Sequence, residues 1–332
     1  MSLKIGIVGT GGVASKNYLP FLSKQEGVTL TYLSRTRSRA EDCAKQFGGT
    51  VVDTPEQLLA GEPDAVFVLT GERDRYEATL PLLELKPKRL FFEKPLVAMD
   101  GQAHVTEDDF HKAKELLQKA KKAGTETAMV FNYRFFEQTL RAREIVKERA
   151  FGWPIEITGL VHFACWSHCI DLIYHLAEPP VEIHALEGTI DHPSGMDTAR
   201  DVSAVFRFHY GGVGTILGTS ATSFDLPLFH MIVNYKDGRF HFRGLDGEME
   251  FMDYEAKKPE RFVSSETYDR WEQYNASFDK SIGAYLNSIR MDFAPPVPGE
   301  AGLAELQFEA AMRRSIAEKR PVKVLEEFPL DL

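Results

Sequence analysis

The chain has 332 residues, of which 43% are hydrophobic and 27% charged, and its formal net charge is −10. This length favours two domains over a single core, and the composition excludes wholesale disorder. The acidic balance, without a block of basic residues, argues against nucleic acid or a membrane surface as the partner. Three cysteines cannot supply a disulfide framework, so a reducing cytoplasm is the expected location.

The first predicted element is a buried strand that runs directly into a glycine-rich turn. The apolar run ends at Val8, and the turn then reads G-x-G-x-x-A. The turn consists of Gly9, Thr10, Gly11, Gly12, Val13 and Ala14. Gly9 permits the tight turn, Gly11 lets the backbone approach a pyrophosphate, and Ala14 keeps the next helix close to the strand. The motif alone is weak, because a purely structural glycine turn would read the same way.

Strands and helices alternate through the first 131 residues. Predicted strands span residues 28–33, 51–52, 65–69, 89–92 and 127–131, and predicted helices span 13–22, 39–47, 76–85 and 107–123, with one more starting at Pro55. Ser38 is the expected cap of the helix over 39–47. This alternation predicts an α/β fold with a doubly wound parallel sheet of the Rossmann type, and it gives the glycine turn the context of a dinucleotide site. We assign residues 1–131 to this dinucleotide-binding domain.

The pattern changes after Phe131. Predicted helices span residues 135–149, 167–177, 278–290 and 302–319, and predicted strands span 154–163, 181–190, 202–210, 214–222, 228–235 and 239–243. Gly211-Gly212 and Asp237-Gly238 are expected hairpin turns between neighbouring strands. Strands in succession, with few helices between them, predict an α+β domain over 132–332 with a largely antiparallel open sheet.

Together these motifs resemble the glucose-fructose oxidoreductase / inositol 2-dehydrogenase (Gfo/Idh/MocA) family. The matching motifs are the glycine turn, Asp64 to Thr70, Glu93-Lys94-Pro95, Asn132 to Phe135, and Arg320-Pro321-Val322. The resemblance covers nearly the whole chain. It implies an oxidoreductase that transfers hydride between a nicotinamide cofactor and a sugar, polyol or related small carbonyl or hydroxyl compound. It also implies that the second domain carries the substrate site and forms a homo-oligomer through its sheet.

Lys94 is the strongest candidate for a catalytic residue. The resemblance places it beside the nicotinamide, hydrogen-bonded to the reacting oxygen, where an ammonium stabilises the charge that develops during hydride transfer. The same resemblance gives Thr70, Glu93 and Asn132 cofactor contacts, and a cis bond is expected before Pro95. The alternative is a surface lysine that follows a strand.

His168 and Asp171 are the other predicted catalytic residues. The family signature has an aspartate, a histidine four residues later and a second aspartate three after that, and here Ala164 stands in the first position. We expect His168 to shuttle a proton and Asp171 to orient it, although a packing role for the histidine is equally open. A metal site that adds His175 is conceivable from the spacing, but the resemblance does not support it, and we predict no metal.

The loops around the expected cofactor depart from the family pattern in two places. Arg75 replaces a histidine after the fourth strand, where it either favours an acidic or phosphorylated substrate or is a solvated loop charge, the reading we prefer. Ser34 stands where an NAD enzyme usually has an acid, and Arg35 and Thr36 follow it. A hydroxyl and a guanidinium suit a 2′-phosphate, so NADP(H) is the expected cofactor, with NAD(H) possible.

Two other functions stay open at this point. The missing carboxylate at Ala164, and the shortened loop before it, would also suit a catalytically silent protein that binds a dinucleotide to sense or regulate. A dinucleotide fold that binds some other nucleotide is the second alternative. Retention of Lys94 favours the enzyme.

Overall fold

The computed structural model describes residues 2–194, 197–245, 247–263 and 270–332. Its first sheet has six parallel strands in the order β3-β2-β1-β4-β5-β6. These strands are β1 Leu3–Val8, β2 Val28–Leu33, β3 Thr50–Val52, β4 Ala65–Val68, β5 Arg89–Phe92 and β6 Glu126–Met129. This is the strand order of a dinucleotide-binding Rossmann sheet, so the predicted α/β class is confirmed.

The helices of this half are α1 Leu19–Leu22, α2 Arg37–Phe47, α3 Pro55–Ala60, α4 Glu72–Glu84 and α5 Glu107–Ala123. The predicted helix over 13–22 is present, as a π-helical turn, Ala14–Tyr18, followed by α1, whose first turn contains Pro20. Helix α2 begins two residues before the predicted start, and Thr36 rather than Ser38 is its N-cap. Helix α5 has the predicted bounds and ends at Gly124, whose φ of 71° is left-handed.

The second sheet has nine strands in the order β14-β13-β12-β11-β7-β10-β9-β8-β15. Its strands are β7 Glu156–His162, β8 Pro180–Ser194, β9 Asp197–Phe208, β10 Val213–Thr219, β11 Phe229–Asn234, β12 Gly238–Arg243, β13 Glu248–Asp253, β14 Lys258–Val263 and β15 Val322–Lys323. Strands β7 and β10 pair in parallel, whereas the other neighbours are antiparallel. The expected largely antiparallel sheet is therefore confirmed.

The remaining helices follow β6 in the chain. They are α6 Glu137–Glu148, α7 Trp166–Leu176, α8 Arg270–Met291, α9 Glu300–Glu318 and α10 Val324–Glu327. Helix α8 packs on the parallel sheet, where the Phe278 and Tyr18 ring centroids are 5.6 Å apart and those of Tyr285 and Phe91 are 4.9 Å apart. The C-terminal half thus covers one face of the N-terminal sheet. The division at residue 131 stays a prediction.

None of the helices in the described ranges combines the length and the apolar character that a bilayer crossing requires.

Candidate active site

The glycine turn connects β1 to the π-helical turn and has two different kinds of glycine. Gly9 has a φ of 95°, and a Cβ there would lie only 2.7 Å from the backbone nitrogen of Thr70. At Gly11 and Gly12, no atom lies within 4 Å of the position that a Cβ would occupy. Gly9 is therefore required by the fold, whereas Gly11 and Gly12 leave their backbone accessible to a ligand. Ala14 is fully buried, as the close packing of helix on strand requires.

A cleft of about 460 Å³ lies at the carboxyl ends of β1, β2 and β4. Its lining includes the predicted cofactor residues Gly9, Thr10, Gly11, Ser34, Arg35, Thr36 and Thr70. The hydroxyl oxygens of Thr10 and Thr70 are buried in the protein without a hydrogen-bond partner among the described residues. Unpaired hydroxyls and open glycine backbone suit the phosphates of a dinucleotide, so these residues fit the expected cofactor.

Both acidic and basic side chains flank one end of this cleft. Arg35 is 86% exposed, and its Nη2 lies 3.5 Å from Oδ2 of Asp74. Arg39 and Glu77 also line the cleft. Arg37, by contrast, is bound to Glu41 and Asp53 on the exposed side of α2 and is not among the lining residues. The acidic side chains that face Arg35 come from α4, and sequence reasoning did not identify them.

Lys94 lies two residues after the end of β5, and its bond to Pro95 is cis, as expected. Its Nζ donates to Oε1 of Gln102 at 3.0 Å and to the carbonyl oxygen of Ala164 at 3.5 Å. The side chain is partly buried. The ammonium therefore lies between the two halves of the chain. At position 164 a backbone carbonyl contacts it, even though the side chain there carries no carboxylate.

Glu93 fixes the backbone that presents Lys94. Its side chain is buried, with Oε1 accepting from the Tyr18 hydroxyl at 2.8 Å and Oε2 accepting from the Lys94 backbone nitrogen at 2.7 Å. Burial and the neighbouring Glu93 carboxylate hold the pKa of Tyr18 well above its ordinary value, so this phenol stays a donor. Glu93 thus acts on the geometry of the Lys94 loop.

Arg75 has neither of the two roles considered for it. Its side chain is 2% exposed, and its guanidinium donates to the carbonyl oxygen of Pro95 and, at 2.8 Å, to that of Thr70. Burial lowers the pKa of this guanidinium, while the charges of Glu93 and Glu72 oppose the change. Arg75 therefore holds the loops after β4 and β5 together. The reading as a solvated loop charge is wrong, because these carbonyls replace solvent.

His168 lies on α7, 2% exposed, with its ring stacked on Tyr133 at a centroid distance of 4.0 Å. Burial lowers the pKa of His168 well below its ordinary value, and the nearby charge of Lys94 lowers it further. The imidazole is therefore neutral near pH 7. Its Nδ1 is buried without a partner among the described residues. The structure thus brings His168 and Lys94 into one site.

Asp171 does not orient His168 as predicted. Its Oδ1 and Oδ2 accept from Nη2 and Nε of Arg134 at 2.6 and 2.8 Å, a bidentate pair that uses both oxygens. Across the described residues, no hydrogen bond joins Asp171 to His168. Burial raises the pKa of this carboxyl, and the guanidinium opposes the rise. The expected pairing is wrong because Arg134, in the turn Asn132–Phe135, occupies both carboxylate oxygens.

Two further candidates from the sequence have structural partners. Asn132 is fully buried, and its Nδ2 donates to Oγ of Ser277 on α8 at 2.7 Å, whereas its Oδ1 has no partner among the described residues. Nε2 of His175 lies 3.0 Å from Nη1 of Arg143. In the described ranges, no group of three or more His, Cys, Asp or Glu side chains is arranged to hold a metal ion.

Comparison with known proteins supports a dinucleotide site in the first half of the chain. Residues 3–131 match the model of an oxidoreductase family with an NAD-binding Rossmann fold, Gfo/Idh/MocA. The chain is 20% identical to myo-inositol 2-dehydrogenase of Thermotoga maritima, with 98% of this chain and 99% of that protein covered. It is 31% identical to D-glucoside 3-dehydrogenase of Escherichia coli over 153 residues, which are 45% of this chain and 40% of the other.

Among solved structures, levoglucosan dehydrogenase in complex with NADH and levoglucosan superposes with a TM-score of 0.79. The two chains are 14% identical, and 97% of this chain and 99% of the other are covered. At that identity the likeness shows a shared fold. Together with the family match, the glycine turn and the two-sheet architecture, it confirms the resemblance read from the sequence. Residues 3–131 therefore match the NAD-binding Rossmann fold of the Gfo/Idh/MocA oxidoreductases, and the fold of the chain is that of solved oxidoreductases.

Proposed function

We propose that this protein is an NAD(P)-dependent dehydrogenase or reductase that interconverts a hydroxyl and a carbonyl group on a sugar, polyol or related small compound. The observation that carries this proposal is the position of Lys94. Its ammonium lies at the carboxyl end of β5, next to Ala164 of the second half and close to His168. The named activities of the relatives, which are dehydrogenases of inositol and glucosides, support the substrate class.

The protein's own residues would bind and orient the reactants. The open backbone at Gly11 and the unpaired hydroxyls of Thr10 and Thr70 would hold the phosphates of the dinucleotide. A bound nicotinamide supplies the hydride chemistry. Nζ of Lys94 would donate a hydrogen bond to the reacting substrate oxygen and stabilise the negative charge that develops there.

His168 is the proposed proton carrier next to Lys94. A neutral imidazole has one nitrogen that accepts and one that donates, which is the form that proton exchange with a substrate hydroxyl requires. Tyr133 fixes the ring plane by stacking on it. The Arg134–Asp171 pair holds α7 against the turn that carries Tyr133.

The preferred cofactor in this proposal is NADP(H). Ser34 carries no negative charge that would repel a 2′-phosphate, and Arg35 is exposed at the same end of the cleft. The ion pair of Arg35 with Asp74 is a surface contact, which contributes little energy and can exchange for a phosphate. Homo-oligomerisation through the second sheet is part of the same proposal.

Turnover with a panel of sugars and polyols, followed through the absorbance of the nicotinamide, tests the function. Each compound is offered with NADP⁺ and NAD⁺, and its oxidised counterpart with NADPH and NADH. We expect turnover with at least one pair. Tight binding of a dinucleotide without oxidation or reduction of any panel member would instead support the sensing function that the alanine at position 164 suggested. Mass spectrometry of a copurified ligand would reveal a different nucleotide.

A further inference from the structure

Two carboxyl groups lie buried behind the proposed active site. Glu305 and Glu309 are four residues apart on α9, so they share one face of the helix, and they are 0% and 1% exposed. Their carboxyl groups are close enough to act on each other's ionisation. Both oxygens of Glu305 and Oε2 of Glu309 lack a hydrogen-bond partner among the described residues. The proposed roles of the other site residues do not use either group.

The packing of α9 places this pair beside Lys94. One turn before Glu305, a Cβ at Gly302 would meet Leu96 at 3.0 Å, so this face of α9 lies on the loop that carries Lys94. On the other side, the hydroxyl of Tyr174 in α7 donates to Gln307 at 3.2 Å. Glu305 therefore lies between the Lys94 loop and the helix that carries His168.

The groups that face the pair come from four elements. Glu305 faces Lys94 from the loop after β5, and Asp171 and Tyr174 from α7. Glu309 faces Trp166 from α7, Asp109 from α5 and Arg313 from its own helix. Arg313 in turn binds Glu187 at 3.0 Å at the rim of a polar surface cavity. The pair thus lies between Lys94 and the surface residue Glu187, with Arg313 next to Glu309 on the surface side.

These surroundings raise the pKa of both carboxyl groups. Burial and the neighbouring carboxyl raise the pKa of Glu305 well above its ordinary value, and the charge of Lys94 only partly opposes this. Burial also raises the pKa of Glu309, but Arg313, Glu305 and the indole of Trp166 favour its anion. Two buried carboxylates that both carried a charge one helical turn apart would be very costly. At neutral pH the pair therefore retains a proton.

We propose that the Glu305–Glu309 pair is the proton store of the site and acts through Lys94. This inference rests on the proposed function. When a substrate hydroxyl is oxidised, a hydride leaves its carbon for a bound nicotinamide and its oxygen passes a proton to the neutral imidazole of His168. The ammonium of Lys94 gives one of its protons to the carboxylate of the pair and takes the proton from His168 in its place, so the pair then holds two protons in place of one. In the reduction of a carbonyl the same proton runs back, so the pair ends with one.

Isosteric variants test this proposal: Glu305→Gln, Glu309→Gln and the double variant, in the full-length protein. Gln307→Leu is the matched control, because it disturbs a buried polar contact on the same helix without removing a carboxyl group. Infrared spectroscopy of the protein without added ligand detects a protonated carboxyl through its C=O band, which shifts in D₂O. We expect this band at neutral pH in the wild type and in Gln307→Leu, and we expect its loss in the double variant.

Turnover supplies the second readout. We expect the double variant to lower kcat by about tenfold or more and to flatten the pH dependence of kcat, with KM and the cofactor Kd within about twofold, because only proton transfer is impaired. Glu305→Asp keeps a carboxyl group at this position, so it should retain more of both the band and kcat than the double variant does. An unchanged band in the double variant, or an unchanged kcat and pH profile after its loss, would overturn the proposal. Because the infrared band is read without substrate, failure of the proposed function would appear separately as absent wild-type turnover.

Discussion

Arg134 holds both carboxylate oxygens of Asp171, and this contact changes the role expected of that residue. The spacing of His168 and Asp171 on one helix had suggested a charge-oriented imidazole. In the structure the imidazole is positioned by stacking on Tyr133, and burial keeps it neutral. Asp171 therefore contributes to the site through the packing of α7.

The two residues should accordingly differ in what they change. We expect His168→Ala to lower kcat per folded molecule by roughly 10²–10⁴-fold. Asp171→Asn should instead lower the free energy of unfolding by about 3–5 kcal/mol, because it leaves the Arg134 charge without its partner. Urea unfolding and steady-state kinetics measure both effects.

A double-mutant cycle checks the assignment. Asp171→Asn and Arg134→Gln should be strongly non-additive in stability, whereas Asp171→Asn and His168→Ala should be additive in turnover per folded molecule. Strong coupling between Asp171 and His168 in turnover would contradict this account.

The proposed choice between NADP(H) and NAD(H) depends on Ser34 and Arg35 at the end of β2. We expect the ratio of kcat/KM for NADPH over NADH to exceed one in the wild type. In the variant Ser34→Asp with Arg35→Ala we expect it to fall by roughly tenfold or more, about 1.4 kcal/mol, because repulsion replaces a charge-assisted bond. Arg37→Ala is the control, since that guanidinium is bound to Glu41 and Asp53. A wild-type ratio below one would refute the preference.

The glycine turn shows how one short element separates folding from binding. Gly9 has a left-handed φ and lies against the Thr70 backbone, whereas Gly11 faces open space. We expect Gly9→Ala to lower the free energy of unfolding by about 1–3 kcal/mol or more. We expect Gly11→Ala to change stability by less than ~0.5 kcal/mol but to weaken dinucleotide binding about tenfold.

Thermal unfolding and fluorescence titration with NADPH and NADH separate these two effects. The interpretation fails if Gly11→Ala binds the dinucleotide as tightly as the wild type does.

Elements with a regular apolar period could be read from the sequence, and those without one could not. Strands β2 and β5 and helix α5 have the predicted bounds, because each buries a continuous or amphipathic set of side chains. Strand β14 is almost wholly exposed and contains Pro259, so it has no alternating signal, and it was missed. Strand β13 does alternate, with Met249 and Phe251 buried, so its pattern does indicate a strand.

The residues of the candidate site also differ in whether a local sequence pattern predicts them. Lys94 and the glycine turn could be predicted because their local motifs determine their positions. The contacts of Arg75, of Gln102 and of the Glu305–Glu309 pair depend on segments that are distant in the chain, so no local pattern indicates them.

At the scale of the whole molecule, the second sheet leaves one face uncovered. Leu160, Leu217 and Leu186 lie along one row of paired residues on β7, β10 and β8, and they are 45%, 37% and 71% exposed. Ser203 of β9 lies between Leu217 and Leu186 in this row, and exposed apolar side chains that share one face of a sheet are typical of an interface. We propose that a second copy of the chain covers this face.

Light scattering coupled to size-exclusion chromatography tests that proposal. We expect the wild type to elute as an oligomer and Leu186→Lys with Leu217→Lys to shift it towards the monomer, because buried charges oppose association. Leu85→Lys is the control, since Leu85 is 37% exposed but lies at the end of α4, in the first half of the chain. A monomeric wild type, or an unchanged mass in the double variant, would count against the interface.

We propose that Lys94 acts on the reacting oxygen of a substrate whose hydride is exchanged with a nicotinamide. The most direct measurement compares kcat and the cofactor Kd of the wild type with those of Lys94→Met, using the sugar or polyol that the panel identifies. We predict that kcat falls by an amount equivalent to about 2.7–4 kcal/mol, as for other donors to developing charge, while the cofactor Kd stays within a few-fold. Near-normal turnover in Lys94→Met would contradict the account.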